Sequence, residues 1–155
     1  EIALGEFGVW KSYSENSAPD LTILTYGNGT YYSRQATDTL SKKFGKRVKV
    51  IDLRWIAPVD AEKLAREVGT SAHVLVVDEC RKTGSMSEYL VSALVEKMPE
   101  QGLSIPKIKV VAADDCFIPL GQAAAAGLPK KEEILKASLS LLGIHESKSN
   151  AEISL

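Results

Sequence analysis

The segment Asp78-Glu-Cys-Arg-Lys-Thr-Gly84 packs two acids, two bases, a thiol and a hydroxyl into seven residues. Such a set could relay a proton or present a thiolate. General acid–base work near neutral pH, however, recruits a histidine or a carboxylate with a strongly shifted pKa. The chain has two histidines. His73 opens a strand-like run, at the far end from this segment, and His145 lies in a polar stretch near the C-terminus. Arg81 and Lys82 beside Cys80 would favour a thiolate, but with no base and no oxyanion site an incidental thiol is the better reading. Glu79, Arg81, Thr83 and Gly84 then read as ion-pairing and turn residues, within the domain or across an interface.

A second constellation, Gly27-Asn28-Gly29, follows one strand-like run and opens a helical one, with Asp52 at the end of the next strand near the spacing of a ribose-binding acid. The dinucleotide fingerprint needs a third glycine for close packing of helix on strand; Tyr32 stands there, and no Gly-Lys-Ser/Thr follows to make a phosphate loop. A plain tight turn is the preferred reading. A third, Asp52-Leu-Arg-Trp-Ile-Ala-Pro-Val-Asp60, contains a turn at Pro58 and a helix cap at Asp60. Arg54 and Trp55 belong to the residue types enriched at interface hot spots, so an interface role and simple surface packing both stay open.

The elements that position these residues show in the apolar runs Leu21 to Tyr26, Val48 to Leu53, His73 to Val77 and Ile108 to Ala112, which lack clean alternation. Strands of that kind are covered on both faces, as in a parallel sheet. Helical stretches separate them: Thr30 to Phe44, stopped at Gly45, and Asp60 to Val68, stopped at Gly69. Ser85-Met-Ser-Glu88 has capping-box spacing, and Val91, Leu94, Val95 and Met98 form one face of a helix ended by Pro99. A last helix is expected with Pro129 at its first position, Ile134, Leu135 and Leu141 inward, and a stop at Gly143. Phe7 to Tyr13 reads as an extra edge strand. The order predicts a doubly wound α/β/α domain with its strand ends gathered on one edge, near Asp52, Asp78 and Asp114.

A chain of 155 residues is one ordinary domain. Its formal net charge of -1 provides no basic footprint for nucleic acid. No apolar run reaches the roughly 20 residues of a membrane span, so a soluble protein is expected. Cys80 and Cys116 are far apart and outside any Cys-x-x-Cys spacing, which points away from a disulfide scaffold or zinc site and toward a reducing compartment. Residues 144–155 read as a polar tail, and Ala123 to Ala126 is the one low-complexity run.

Three segments are specific when taken together: Leu21-Thr-Ile-Leu-Thr-Tyr-Gly27, Val48-Lys-Val-Ile-Asp-Leu-Arg-Trp-Ile-Ala-Pro-Val-Asp60 and Val74-Leu-Val-Val-Asp-Glu-Cys-Arg-Lys-Thr-Gly84. In this order they resemble the C-terminal domain of the transketolase family, most of all that of the beta subunit of thiamine-diphosphate-dependent 2-oxo acid dehydrogenases of pyruvate or branched-chain type. The resemblance runs from about Leu4 to about Leu142. Ile118-Pro-Leu-Gly-Gln departs from the tyrosine- and proline-rich loop common in those beta subunits.

The resemblance implies a five-stranded mixed sheet, four parallel strands plus an antiparallel N-terminal edge strand, over residues 1–143, with 1–18 as edge strand and linker. It also implies a domain that itself binds no cofactor and holds no catalytic residue. In the family, thiamine diphosphate and magnesium sit between two other domains, and the Gly-Asp-Gly motif that grips the diphosphate is missing from this sequence. The implied partners are the pyrimidine- and diphosphate-binding domains of the same enzyme, a further copy in a homo-oligomer, and the acyltransferase component of the complex. The implied location is the cytoplasm, or the mitochondrial matrix in a eukaryote, and the chain is expected to be a fragment of a longer enzyme. Gly27, Asn28, Gly29, Asp52, Arg54, Trp55, Glu79, Arg81, Thr83 and Gly84 are the interface or strand-end crevice candidates. The competing expectation is a free-standing small-molecule or nucleotide-binding module that uses the same crevice.

Overall fold

The structure, a computed structural model, describes residues 3–14, 17–117, 120–121 and 127–144. The polar tail beyond 144, the alanine run and the Ile118-Pro119 pair lie outside the described residues. Four parallel strands, β2 (Leu21–Thr25), β3 (Val48–Asp52), β4 (His73–Arg81) and β5 (Lys107–Ala113), form the sheet. The edge strand β1 (Gly8–Lys11) pairs antiparallel with β3, giving the order β1-β3-β2-β4-β5. This is the five-stranded mixed sheet that the resemblance implied.

Helices α1 (Asn28–Phe44) and α4 (Lys131–Leu141) cover one face, and α2 (Ala61–Val68) and α3 (Met86–Glu100) the other. Every residue of β2 is buried, which explains why its run shows no alternation. Odd and even positions serve different cores: Leu21 and Ile23 pack with Leu40 and Ile134, whereas Leu24 packs with Leu64, Leu90 and Leu94.

The helix punctuation holds in the first half. Gly45 caps α1 in the left-handed region at φ 62°, and Gly69 follows α2 at φ 59°. Asp60 caps α2 by accepting from the amide of Lys63 at 2.9 Å.

The second half differs in six places. Pairing carries β4 past Val77 to Arg81, with a register shift between Asp78 and Arg81, because the β5 ladder outlasts the apolar run. The capping box at α3 is displaced: Glu88 accepts from the amide of Gly84 at 3.1 Å, and the Ser85 hydroxyl donates to Asp78 at 2.8 Å, drawn off by a buried carboxylate. Val95 is exposed, and Leu90 takes the buried place with Leu94 and Met98. Pro99 does not stop α3, which runs one residue further, since a missing N–H this close to a helix end removes a single bond. In α4, Pro129 is buried ahead of the cap residue Lys130, so the helix begins at Lys131. Ile144, the first residue of the expected tail, packs against the core.

Candidate functional site

The chain order reverses between β2 and β4, so the crevice of the sheet opens beyond the ends of these two strands. Gly27 makes the turn there at φ 55°. The amide of Asn28, at the start of α1, donates to the Glu79 carboxylate at 3.2 Å. A Cβ on Gly27 would collide with that carboxylate, and one on Gly29 would collide with the Thr25 hydroxyl. Gly29 therefore supplies the close helix-to-strand packing, while an acid of the protein itself meets the positive end of the helix.

Asp78 lies one residue before this acid, fully buried. Its carboxylate accepts from the Tyr26 hydroxyl, from the Cys80 amide at 2.8 Å, from the Ser85 hydroxyl at 2.8 Å and from the Ser87 amide at 2.8 Å. Burial by itself pushes the Asp78 pKa up, but these donors outweigh it and hold the carboxyl below its ordinary value. Burial first, and then the bond to Asp78, push the Tyr26 phenol up. The pair is a proton donor fixed to a charged acceptor, tying β2 to β4 and to the start of α3.

The β4-to-α3 turn is closed by Asp115. The Thr83 amide donates to it at 2.9 Å and the Thr83 hydroxyl at 2.6 Å, and the hydroxyl bond is the main cause that lowers the Asp115 pKa. Arg81 donates to the Thr83 carbonyl at 3.1 Å. At the end of β3, Arg54 has φ 57°, an uncommon backbone for a non-glycine residue, and its amide donates to Asp52 at 3.1 Å. Its guanidinium lies 5.9 Å from the centroid of the Trp10 ring. The ten sequence candidates thus separate into Gly27, Asn28, Gly29 and Glu79 in the crevice, Arg81, Thr83 and Gly84 on the next turn, and Asp52 and Arg54 near β1, with Trp55 half-exposed beyond them.

A cavity of about 650 Å³ opens on the strand-end edge, lined by Tyr26, Ile56, Cys80, Met86, Cys116, Phe117 and Leu128 among others. Its wall is mostly apolar, and both cysteines on it are free thiols. At its rim Phe117 is 99% exposed, and nearby in sequence Leu120 is 95% exposed. Large contiguous apolar surface is characteristic of contact sites. Sequence reasoning missed Phe117, Leu120 and Ile56, whose only signal is apolar character outside any periodic run.

The crevice does not fit a diphosphate. The Glu79 carboxylate holds the place at the α1 N-terminus where a phosphate would bind, and would repel it. His73 lies at the opposite end of β4, with its Nδ1 3.1 Å from the Asp20 carbonyl oxygen. Among the described residues no group of three or more His, Cys, Asp or Glu side chains could hold a metal ion, and no helix is long and apolar enough to cross a membrane.

The sheet order, the antiparallel edge strand and the helices on both faces define an α/β domain of the transketolase C-terminal type. Residues 11–126 match the family model described as transketolase, C-terminal domain, and the chain belongs to that family. Among curated relatives, the pyruvate dehydrogenase E1 component subunit beta of Bacillus subtilis is 29% identical over 132 residues, covering 85% of this chain and 40% of the relative. The corresponding subunit of Staphylococcus epidermidis is 30% identical over 134 residues, covering 86% and 40%. The chain therefore spans about two fifths of the length of these relatives. Among solved structures, the inactive beta4 tetramer of a split-gene transketolase superposes with a TM-score of 0.67 at 25% identity, over 92% of this chain and 43% of that one. A 2-oxoglutarate:ferredoxin oxidoreductase from Magnetococcus marinus shares the fold, with a TM-score of 0.59 at 18% identity over 87% of this chain and 20% of that one.

Proposed function

We propose that this chain is the noncatalytic assembly domain of the decarboxylating component of a thiamine-diphosphate-dependent 2-oxo acid dehydrogenase. The observation that carries the reading is the strand-end edge: an apolar cavity with exposed Phe117 at its rim, beside a helix N-terminus already satisfied by Glu79. Such an edge suits a protein partner, with charged Arg81 and Asp115 at its margin to fix register. The cofactor and its magnesium belong, on this reading, to the pyrimidine- and diphosphate-binding domains, which the strand-end edge packs against. The acyltransferase component docks on the same domain in the assembled, homo-oligomeric enzyme. The similarity to E1 beta subunits supports the class of parent enzyme.

Native mass spectrometry of the chain co-expressed with the pyrimidine-binding domain of the same enzyme tests this. A complex is expected with the wild type and is lost in Phe117→Asp, while calorimetry of the chain alone shows no micromolar binding of thiamine diphosphate. Tight cofactor binding by the isolated chain, or absence of any complex, overturns the proposal.

A further inference from the structure

On the α1 side of the sheet a groove of about 400 Å³ runs between β1 and α1, a size within the range of small-ligand sites. Trp10 and Val50, register partners on β1 and β3, line it from the sheet. Tyr31, Arg34, Thr37 and Asp38 line it from α1. The Arg34 guanidinium lies 4.9 Å from the centroid of the Trp10 ring. Among the described residues no carboxylate is within 4.0 Å of it, and no cation is within that distance of Asp38. The two charges stand at i and i+4 with the base first, the weaker orientation for such a pair, and the indole holds the guanidinium instead. Lys11, on the β1 side, is engaged in a contact of its own. Thr37, 8% exposed, closes the floor of the groove beside Asp38.

The groove thus offers a stacked cation and, about 6 Å further along the helix axis, an acid. An indole and a phenol supply apolar surface. Arg34 repels a ligand that is only cationic, and Asp38 one that is only anionic. We infer that the groove binds a zwitterionic α-amino acid with a large apolar side chain. The carboxylate pairs with the Arg34 guanidinium, whose stacking on Trp10 leaves its N–H edge free for a two-point contact. The ammonium pairs with Asp38, and the side chain lies on the Tyr31 ring and against the edge of the Trp10 indole, whose ring already carries the Arg34 and Arg54 guanidinium groups.

The chain has two tryptophans, so Trp55→Phe leaves Trp10 as the only indole reporter. Fluorescence titration of that variant with L-phenylalanine and with L-leucine tests the site. The expected result is a saturable change for at least one of them, weakened about tenfold by Arg34→Gln and by Asp38→Asn. Both positions are exposed, and circular dichroism confirms that the variants fold. 3-Phenylpropionate and phenethylamine, which keep one charge each, bind about tenfold more weakly than L-phenylalanine. No saturable change in the millimolar range overturns the inference, as does equal binding of 3-phenylpropionate with no effect of Asp38→Asn.

Discussion

Glu79 on β4 reaches the amide of Asn28, 51 residues earlier in the chain, and closes the N-terminus of α1 at 3.2 Å. A carboxylate from a neighbouring strand therefore does the work of a capping residue, since Gly27 has no side chain to offer. Glu79→Ala should lower the unfolding free energy in urea by about 1 kcal/mol, the usual value of a lost cap. The same change clears the anion position. Millimolar sulfate should then recover part of the loss in the variant more than it stabilises the wild type. Equal sulfate effects on both proteins would show that Glu79 does not hold that position.

Asp78 predicts a pH dependence with a definite sign. Its folded pKa lies below the ordinary carboxylate value of 3.8, so above that value the folded chain holds the charged form and its bonds intact. The contribution is complete above about pH 5 and is lost as pH falls through the folded pKa, because protonation favours the unfolded chain. Urea melts between about pH 5 and 3 should show falling stability, with a flatter profile in Asp78→Asn. That variant turns an amide toward buried donors and should cost about 2 kcal/mol at neutral pH. A wild-type profile parallel to that of the variant would remove Asp78 from the account.

The alternation of strand and helix was legible because buried parallel strands must be apolar throughout, as at Leu21 to Thr25, and because Gly45, Asp60 and Gly69 occupy positions that only a few residue types fill. The capping of α3 was misread because spacing alone cannot reveal that Ser85 has a stronger acceptor in Asp78, from another element. Val95 was assigned inward on periodicity, yet α3 is apolar on more than one side, and tertiary packing selects Leu90. Of the candidate site, the turn glycines could be read from their types. Glu79 capping Asn28, Asp115 closing the Thr83 turn and Arg54 lying over Trp10 could not, since each pairs distant segments through the sheet order.

Gly29 and Thr25 form a coupled pair. A Cβ at position 29 would collide with the Thr25 hydroxyl, and that hydroxyl is buried with no partner. Gly29→Ala should cost about 1–3 kcal/mol as overpacking. Adding Thr25→Ala opens the space and removes the unsatisfied group, so the double variant should be more stable than Gly29→Ala by at least about 1 kcal/mol. Additive losses in a denaturation cycle would mean that the two side chains do not compete for the same volume.

Lys49 points into the α2 side of the sheet, its ammonium donating to the Glu67 carbonyl and lying 3.5 Å from the Glu67 carboxylate. Burial, partly offset by Glu67, pushes its pKa below the ordinary 10.5. Between the folded and unfolded values the unfolded chain binds more protons, so stability should rise with pH through that window. Lys49→Met removes the buried charge and leaves Glu67 with its side chain 34% exposed, in reach of water. No charge is stranded, and the variant should match or exceed the wild type at pH 7, within about 1 kcal/mol. Its advantage should shrink as the wild type gains stability on approach to pH 10.5. A loss above about 2 kcal/mol at pH 7 would instead make the Lys49–Glu67 contact a net contributor to the fold.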